Sequence, residues 1–286
     1  MRRWTTLLSF VAVALGGCHS NSRVSPVQGI EVYGLVESPV DHPALEAAVR
    51  NANLILGPSS ATSFAAGWRQ VPNTSAIKVF AADPKGLGET EVMSSYHQCN
   101  CVIAQVGRMS AWLSQQTGTG QGLLSVDNQS LMTYMLLHEM GHIAHGDEVE
   151  SETPSTNTGQ AMKFNLDPTL QKEHEIAADQ YAANAINAAI KDKGSNRGIA
   201  AAQIAVTLAQ LSWNLAEHRL LDNFGGTAVH APSLFFDAGL SHPNLEWRIL
   251  SVNAAISDAP TAQKLLSDFE NLRQVQPTVL YQAKPH

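Results

Sequence analysis

The sequence predicts a helix-rich α+β fold, with a small α/β region in residues 30–129 and a helical region in residues 130–286. Two short apolar runs, Ala76–Ala81 and Cys101–Val106, are each bounded by turn residues and are typical of strands. Most of the chain after residue 130 instead carries apolar residues at helical spacing. A chain of 286 residues can form one large domain or two small ones, and we expect a single domain from residue 30 onward.

The N-terminus has the pattern of a secretion signal. Two arginines precede an apolar run from Leu7 to Leu15, which is too short to span a membrane. The tetrapeptide Leu15-Gly16-Gly17-Cys18 resembles a bacterial lipobox, in which the cysteine is lipidated and becomes the first residue of the mature chain. We therefore interpret residues 1–17 as a lipoprotein signal peptide. The alternative is an ordinary signal peptide in which Cys18 is incidental.

The residues that follow predict where the protein is located. Residues 18–29 are polar and would tether the domain to a lipid on Cys18. The residue after the cysteine is His19 rather than Asp, which by the bacterial sorting pattern indicates the outer membrane. We expect an outer-membrane lipoprotein on the periplasmic side of the bacterial cell envelope, bound to the membrane through its lipid anchor.

Composition argues against some classes of partner. The chain is 44% hydrophobic and 15% charged, with a formal net charge of -7. A modest acidic balance, without a cluster of Lys or Arg beyond Arg2 and Arg3, argues against nucleic-acid binding and against electrostatic docking on anionic lipid. The sequence makes no prediction of the oligomeric state.

The α/β region carries two more local predictions. Glu31–Val36 alternates like a short strand, and Pro43–Leu56 has helical spacing. His97, Cys99 and Cys101 form an H-x-C-x-C pattern. We interpret the cysteines as a disulfide, which an oxidising periplasm would favour, or as two free thiols, because a metal site there would lack a fourth ligand nearby.

The segment that carries the chemistry is His138-Glu139-Met140-Gly141-His142, an H-E-x-x-H pattern within an apolar-rich predicted helix. Residues four apart share a face of a helix, so His138 and His142 can offer two ring nitrogens to one metal ion. Glu139 lies about 100° around the helix from His138, where it can reach a metal-bound water without binding the metal. A catalytic zinc site uses three protein ligands, so the third must come from elsewhere.

A second pattern follows about thirty residues later, Glu173-His174-Glu175-Ile176-Ala177-Ala178-Asp179. Glu175 and Asp179 are four apart on a second predicted helix and therefore face the same way. Glu175 could supply the third zinc ligand. Asp179 could accept a hydrogen bond from the other ring nitrogen of a ligand histidine and so fix its orientation.

Together these patterns resemble the gluzincin metallopeptidases of the HtpX, BepA and CAAX-prenyl-protease type. A third segment, Ser241-His242-Pro243 through Arg248-Ile249, is similar to the late S/T-H-P-x-x-x-x-R-I segment of that family. The resemblance covers roughly residues 125–255. It departs from the family in a short interval between His142 and Glu175, and in lacking the transmembrane helices of the membrane-bound members.

The resemblance implies a zincin-like metallopeptidase with one Zn²⁺ per chain, held by His138, His142 and Glu175. Glu139 would be the general base, and His242 and Arg248 would lie near the active-site cleft. The implied activity is endopeptidase cleavage of protein or peptide substrates, with misfolded or misassembled envelope proteins as the expected substrates.

His242 and Arg248 also have simpler interpretations. His242 could regulate access to the zinc or polarise the substrate carbonyl, or it could cap the helix that we expect to begin at His242-Pro243. Arg248 could bind a peptide carboxylate or oxyanion, or it could pair at the surface with Glu246 or Asp237. The acidic segment at residues 147–160 is expected to be a solvated connection.

Further helices are predicted at residues 170–192, 198–221 and from residue 257 to about 274. The helix at 198–221 is uncharged over most of its length. Gln203, Thr207, Gln210 and Asn214 form a polar stripe along it, which favours a buried helix touching water on one edge over a membrane span.

Two alternatives keep the zinc but change the function. The segments H-E-M-G-H-I-A-H and E-H-E-I-A-A-D-Q-Y-A also resemble the ImmA/IrrE-type peptidases, whose shorter interval fits better but which are usually cytoplasmic. A non-catalytic lipoprotein is the other alternative. It would be a binding module or assembly factor that uses zinc as a structural staple, with His242 as a fourth ligand.

Overall fold

The structure, a computed structural model, describes residues 35–58, 60, 62–68, 76–83, 92–96, 99–118, 123–147, 168–224, 242–257 and 260–282. The helices there are α1 (His42–Leu56), α2 (Met109–Thr117), α3 (Asn128–His145), α4 (Pro168–Ile190), α5 (Asn196–Phe224), α6 (Leu245–Ser257) and α7 (Pro260–Gln282), and the strands are β1 (Phe64–Ala66), β2 (Ile77–Ala81), β3 (Met93–Tyr96) and β4 (Cys101–Ala104). The predicted helix-rich α+β class is confirmed.

Several predicted segments lie outside the described residues. They are the signal peptide at 1–17, Cys18, the tether at 18–29, most of the predicted strand Glu31–Val36, His97, the acidic segment after Asp147, Asp237 and Ser241.

The strands form a small mixed sheet in the order β1-β2-β4-β3. β1 pairs with β2 and β2 with β4 in parallel, and β3 pairs antiparallel with β4, with Met93 opposite Ala104 and Tyr96 opposite Cys101. β2 and β4 lie within the two predicted apolar runs. β1 and β3 are too short, and β3 too polar, to have been distinguished from loops by hydrophobic pattern.

One hydrophobic core joins the sheet to the helices. It contains buried residues of α1 and of the central strands together with residues of α3, α4, α5 and α6. Leu45 and Ile55 of α1, Val79 of β2 and Leu137 of α3 are all fully buried in it. The α/β region is therefore packed directly on the helices that carry the H-E-x-x-H and E-x-x-x-D patterns.

Helix α5 differs from its prediction in what it presents to water. Thr207 and Asn214 of the predicted polar stripe are buried, with only 2% and 3% exposure. The Asn214 side chain accepts a hydrogen bond from the Leu124 N–H (2.7 Å) and donates one to the Leu124 carbonyl (2.9 Å), which satisfies it without water. Val206 and Trp213 are exposed instead. The prediction that this stripe touches water is therefore wrong for Thr207 and Asn214, whereas Gln203 is exposed and Gln210 is half-buried.

Residues Asn196–Glu217 of α5 are long and apolar enough to cross a membrane by length and composition, and 44% of an 18-residue window within them is buried in the protein. The helix packs against α1, α3, α4 and α6. A helix buried in the core of a protein can have the same length and composition as a membrane-spanning helix, so these two properties do not distinguish them.

Helix α6 begins later than predicted. Its first residue is Leu245, and Asn244 precedes it, with its side-chain oxygen accepting a hydrogen bond from the Trp247 N–H at 3.0 Å. Asn244 satisfies the helix N-terminus, so the prediction that the helix starts at His242-Pro243 is wrong and His242 is not its cap.

Cys99 and Cys101 form a disulfide, as one of the two predicted states. It lies in the turn between β3 and β4, where Asn100 adopts a left-handed backbone conformation (φ 49°). Asn is one of the few residues other than glycine that adopt this conformation readily.

Candidate metal centre

Helix α3 holds both histidines of the H-E-x-x-H pattern on a well-capped scaffold. The Asp127 carboxylate accepts a hydrogen bond from the Ser130 N–H at 3.0 Å, which satisfies one free donor at the helix start. Gly146 ends the helix in a left-handed conformation. His138, Glu139 and His142 are all buried, with 8%, 7% and 7% exposure.

Close contact between α3 and α4 brings the third donor to the histidines. A Cβ atom at Gly141 would lie 2.7 Å from Ala178 Cα and 3.0 Å from the Ala178 carbonyl oxygen. A residue larger than glycine at this contact would force the two helices to shift. Glu175 lies one turn before Ala178 on α4, so the contact at Gly141 sets how near its carboxylate comes to the two imidazoles.

The three donors converge. His138 Nε2 lies 3.1 Å from His142 Nε2. Glu175 reaches both, with Oε2 3.4 Å from His138 Nε2 and Oε1 3.5 Å from His142 Nε2. A ligand atom from each of the three residues lies within 4.8 Å of the others, so the cluster could hold a metal ion.

The other ring nitrogens are both occupied by carboxylates. Asp179 Oδ1 lies 2.9 Å from His138 Nδ1, and Asp147 Oδ2 lies 3.0 Å from His142 Nδ1. Each contact fixes an Nδ1–H donor, which leaves the two Nε2 atoms as acceptors. Two nitrogen lone pairs and a carboxylate facing one another repel unless a cation lies among them. The donor set therefore fits a metal ion.

Without a metal, protons take the place of that cation. Burial opposes charge on His138, but Asp179 and then Glu175 outweigh it and raise the pKa of His138 to about 10. Burial lowers the pKa of His142, but the hydrogen bond that its ring donates to Glu175 outweighs this effect, and the pKa is raised. Burial disfavours the Glu175 carboxylate, yet Arg248 and the histidines hold its pKa well below the usual range.

Glu139 follows His138 on α3 and is not one of the three clustered donors. Burial raises the pKa of this carboxyl group, and His138 and His142 oppose the rise. A carboxylate with a raised pKa is a better proton acceptor than a solvated one. Its chemistry therefore suits a general base beside a metal ion.

Arg248 points into the cluster rather than to the surface. Its Nη1 lies 2.8 Å from Glu175 Oε2 and its Nε lies 2.7 Å from Asp179 Oδ2, with only 12% of the side chain exposed. Burial opposes its charge, but these carboxylates, Asp179 first, raise the pKa of Arg248 further above its usual range. The alternative of a surface position for Arg248 is therefore wrong. Arg248 neutralises the acids that hold and orient the donors.

His242 approaches the cluster from the solvent side. Its Nε2 lies 3.2 Å from Glu175 Oε1, while 55% of its side chain remains exposed. The residue can therefore reach the vicinity of a bound metal and also a molecule that enters from outside.

The sequence interpretation missed Tyr134 and misjudged Asp147. The Tyr134 hydroxyl donates a hydrogen bond to Asp179 Oδ1 at 2.7 Å. Tyr134 lies four residues before His138, so helical spacing alone could have placed it on the ligand face. Asp147 was assigned to a solvated connection, but it is 8% exposed and contacts a ligand histidine.

The sheet reaches the site through β3, which packs against α3. In the described part of the sheet β3 has a neighbouring strand on one side only. Ser95, on this strand, is 1% exposed, and its hydroxyl lies close enough to the Glu139 carboxyl group to lower the pKa of that group.

The family model of Peptidase U49 matches residues 129–262. The matched segment contains His138, Glu139, His142, Glu175, Asp179, His242 and Arg248. None of the curated proteins and none of the solved structures compared with the chain matches it. The match indicates a peptidase family, and the cluster of two histidines and a glutamate is compatible with zinc.

Proposed function

We propose that this chain is a zinc-dependent endopeptidase, with one zinc ion held by His138, His142 and Glu175. The observation that carries the proposal is the convergence of the Nε2 atoms of His138 and His142 with the Glu175 carboxylate. The Nδ1 atom of each histidine already contacts a carboxylate, which fixes the ring. Two imidazoles and one carboxylate are a typical ligand set for catalytic zinc, which leaves one position for a reactant. The match to Peptidase U49 supports the peptidase class.

Zinc supplies a Lewis acid that polarises a substrate carbonyl and makes a water molecule more acidic. The residues of the chain do the rest. Glu139 accepts the proton of the attacking water and returns it to the nitrogen of the departing amine. His242, half exposed beside Glu175, donates a hydrogen bond to the substrate carbonyl oxygen. Arg248 keeps Glu175 and Asp179 ionised and fixed in place.

Strand β3 is the best candidate for aligning the substrate. An extended peptide adds to a sheet by pairing with the backbone of an edge strand. β3 is such a strand in the described structure and packs against the helix that carries Glu139. A peptide paired there lies alongside the H-E-x-x-H segment.

The cellular setting of the proposal comes from the N-terminal sequence pattern. A lipid anchor at Cys18 would place the enzyme on the periplasmic side of the bacterial envelope, at the outer membrane. Its substrates there would be envelope proteins, and quality control of misfolded or misassembled chains is the role we propose.

The test compares the wild type with Glu139→Gln for zinc content and for cleavage of casein. We expect about one zinc per chain in both proteins and cleavage by the wild type alone, because the amide cannot accept a proton. Glu173→Gln is the matched control, since it makes the same chemical change at an exposed position of α4. Full activity in Glu139→Gln would contradict the assigned role. A wild type without zinc would contradict the whole proposal.

One observation favours a second candidate function, a non-catalytic protein stapled by zinc. His242 Nε2 is near enough to Glu175 to become a fourth ligand, and a closed four-ligand site is typical of structural zinc. His242→Ala separates the two. A peptidase would keep its zinc and change its rate of cleavage, whereas a stapled protein would lose zinc affinity and show no cleavage before or after the change.

A further inference from the structure

Asp147 is a buried carboxylate in contact with the candidate metal centre. Its Oδ2 lies 3.0 Å from His142 Nδ1, and its Oδ1 lies 3.6 Å from His174 Nε2, which is too long for a hydrogen bond. The side chain is 8% exposed. Asp147 therefore lies between His142 on α3 and His174 on α4. His174 directly precedes Glu175 in the chain.

The turn at the end of α3 puts Asp147 there. Gly146 has φ 69° and ψ 27°, and its N–H donates to the His142 and Ile143 carbonyls. The Asp147 N–H then donates to the His142 carbonyl at 3.1 Å. This left-handed ending folds the chain back along the helix, so that a residue five positions after His142 meets the ring of His142 from its far side.

The position is unfavourable for a carboxylate in two respects. Burial removes it from water, and the C-terminal end of a helix carries partial negative charge that repels an anion. Stabilisation of the helix end therefore does not explain this residue. Its contact with the His142 ring does, because the ring can present its Nδ1–H to the carboxylate at 3.0 Å.

Asp147 also repeats a contact already present on the other ligand. Asp179 holds Nδ1 of His138 at 2.9 Å, as Asp147 holds Nδ1 of His142 at 3.0 Å. With both carboxylates in place, both rings turn Nε2 toward Glu175. If only Asp179 were present, His142 could rotate or carry its proton on Nε2, and the three donors would no longer converge.

We propose that Asp147 is a positioning residue for the metal site, which fixes the tautomer and the ring orientation of His142. The inference rests on the proposed function, since it requires His142 to bind a metal ion. It adds a second orienting carboxylate, supplied by the turn after α3, to the one on α4. Loss of this carboxylate weakens metal binding by making His142 a poorer and less ordered ligand.

The experiment measures zinc affinity by chelator competition, and the visible absorption of the cobalt(II)-substituted protein, for the wild type, Asp147→Ala and Asp147→Asn. Such orienting partners change metal affinity by about 10–100-fold. We expect a loss in that range for Asp147→Ala, with altered cobalt absorption. Asp147→Asn should lose less, because its amide oxygen still accepts from Nδ1 while the charge is gone. A change in cobalt absorption reports ligand geometry, which a merely structural role would leave unchanged.

Asp127→Ala is the matched control, because Asp127 occupies the opposite end of the same helix and touches no ligand. It should lower the unfolding midpoint and leave zinc affinity within about threefold of the wild type. If Asp147→Ala does not fold, Asp147→Asn decides the question alone.

The inference is overturned if the folded Asp147 variants keep wild-type zinc affinity and cobalt absorption. In that case a wild type that binds zinc and cleaves casein leaves the proposed function intact. A wild type that binds no zinc overturns both.

Discussion

Replacing Gly141 by alanine tests whether contact between α3 and α4 sets the geometry of the metal centre. At a free position in a helix this change would stabilise the protein by about 1 kcal/mol, because alanine is the better helix former. Here the added Cβ meets Ala178 Cα at 2.7 Å, and the obstacle is backbone rather than a movable side chain. Carbon atoms prefer a separation of roughly 3.5–4.0 Å, so the helices must part by about 1 Å.

The magnitudes decide the sign of the stability change. Overpacking of this kind costs about 1–3 kcal/mol, against a gain of about 1 kcal/mol from helix propensity. We expect Gly141→Ala to lower the free energy of unfolding by up to about 2 kcal/mol.

The same change should also weaken metal binding. Glu175 lies one turn from Ala178 and moves with α4, whereas metal sites accept only about 0.2 Å of displacement in a ligand distance. A loss of zinc affinity of at least about tenfold follows.

The assay is zinc affinity by chelator competition, alongside urea unfolding of the metal-free protein. Gly194→Ala is the control: Gly194 has φ 79° and no atom within 4 Å of an added Cβ, so alanine there costs about 1–2 kcal/mol of backbone strain away from the site. It should lose stability and keep zinc affinity. If Gly141→Ala gains stability and binds zinc as the wild type does, the helix contact does not set the site.

Three more predictions concern the residues around the donors. Arg248→Leu leaves the buried carboxylates of Glu175 and Asp179 without their cation, and should lower the free energy of unfolding of the metal-free protein by about 3–5 kcal/mol; an unchanged urea midpoint would contradict the ion pairs. Tyr134→Phe removes one hydrogen bond to Asp179 and should cost about 1–3 kcal/mol with less than tenfold loss of zinc affinity, as measured by the same two assays. Zinc affinity should rise with pH between 7 and 9, because the pKa of His138 is about 10 without metal and zinc binding must displace its proton. Calorimetry in buffers of different ionisation enthalpy would count the released proton. A zinc affinity that does not change with pH would contradict this prediction.

The helix-borne part of the site was predictable because it depends on spacing alone. His138 and His142 share a helix face, as do Glu175 and Asp179, and the structure places all four side chains in one cluster. The pairing of the two helices could not be derived from spacing. It depends on close approach at Gly141, and a glycine does not contribute to the hydrophobic pattern from which helix packing is predicted.

The remaining contacts depend on turns and on packing between distant segments. Asp147 reaches His142 only because Gly146 adopts a left-handed conformation, which the sequence permits without requiring it. Arg248 reaches Glu175 and Asp179 because α6 packs on α4. The packing of two helices that are distant in the chain could not be predicted from local sequence patterns. Asp147 was expected in a solvated connection, and a surface position was one of two alternatives for Arg248, since charged residues usually lie at the surface. Both are buried because Asp147 meets an N–H donor and Arg248 meets two carboxylates.

The donors of the metal centre come from two helices that are distant in the chain, with residues 148–167 between them. A metal ion bound there contacts α3 and α4 at once, and it finds that arrangement only in the folded protein. Occupancy then adds to folding stability by mass action, about 2.7 kcal/mol when free zinc exceeds its dissociation constant a hundredfold. If the proposed zinc site is filled in the cell, a chain depleted of zinc would unfold more often and be cleaved more readily by other peptidases. Zinc supply would govern the lifetime of the protein as well as its activity.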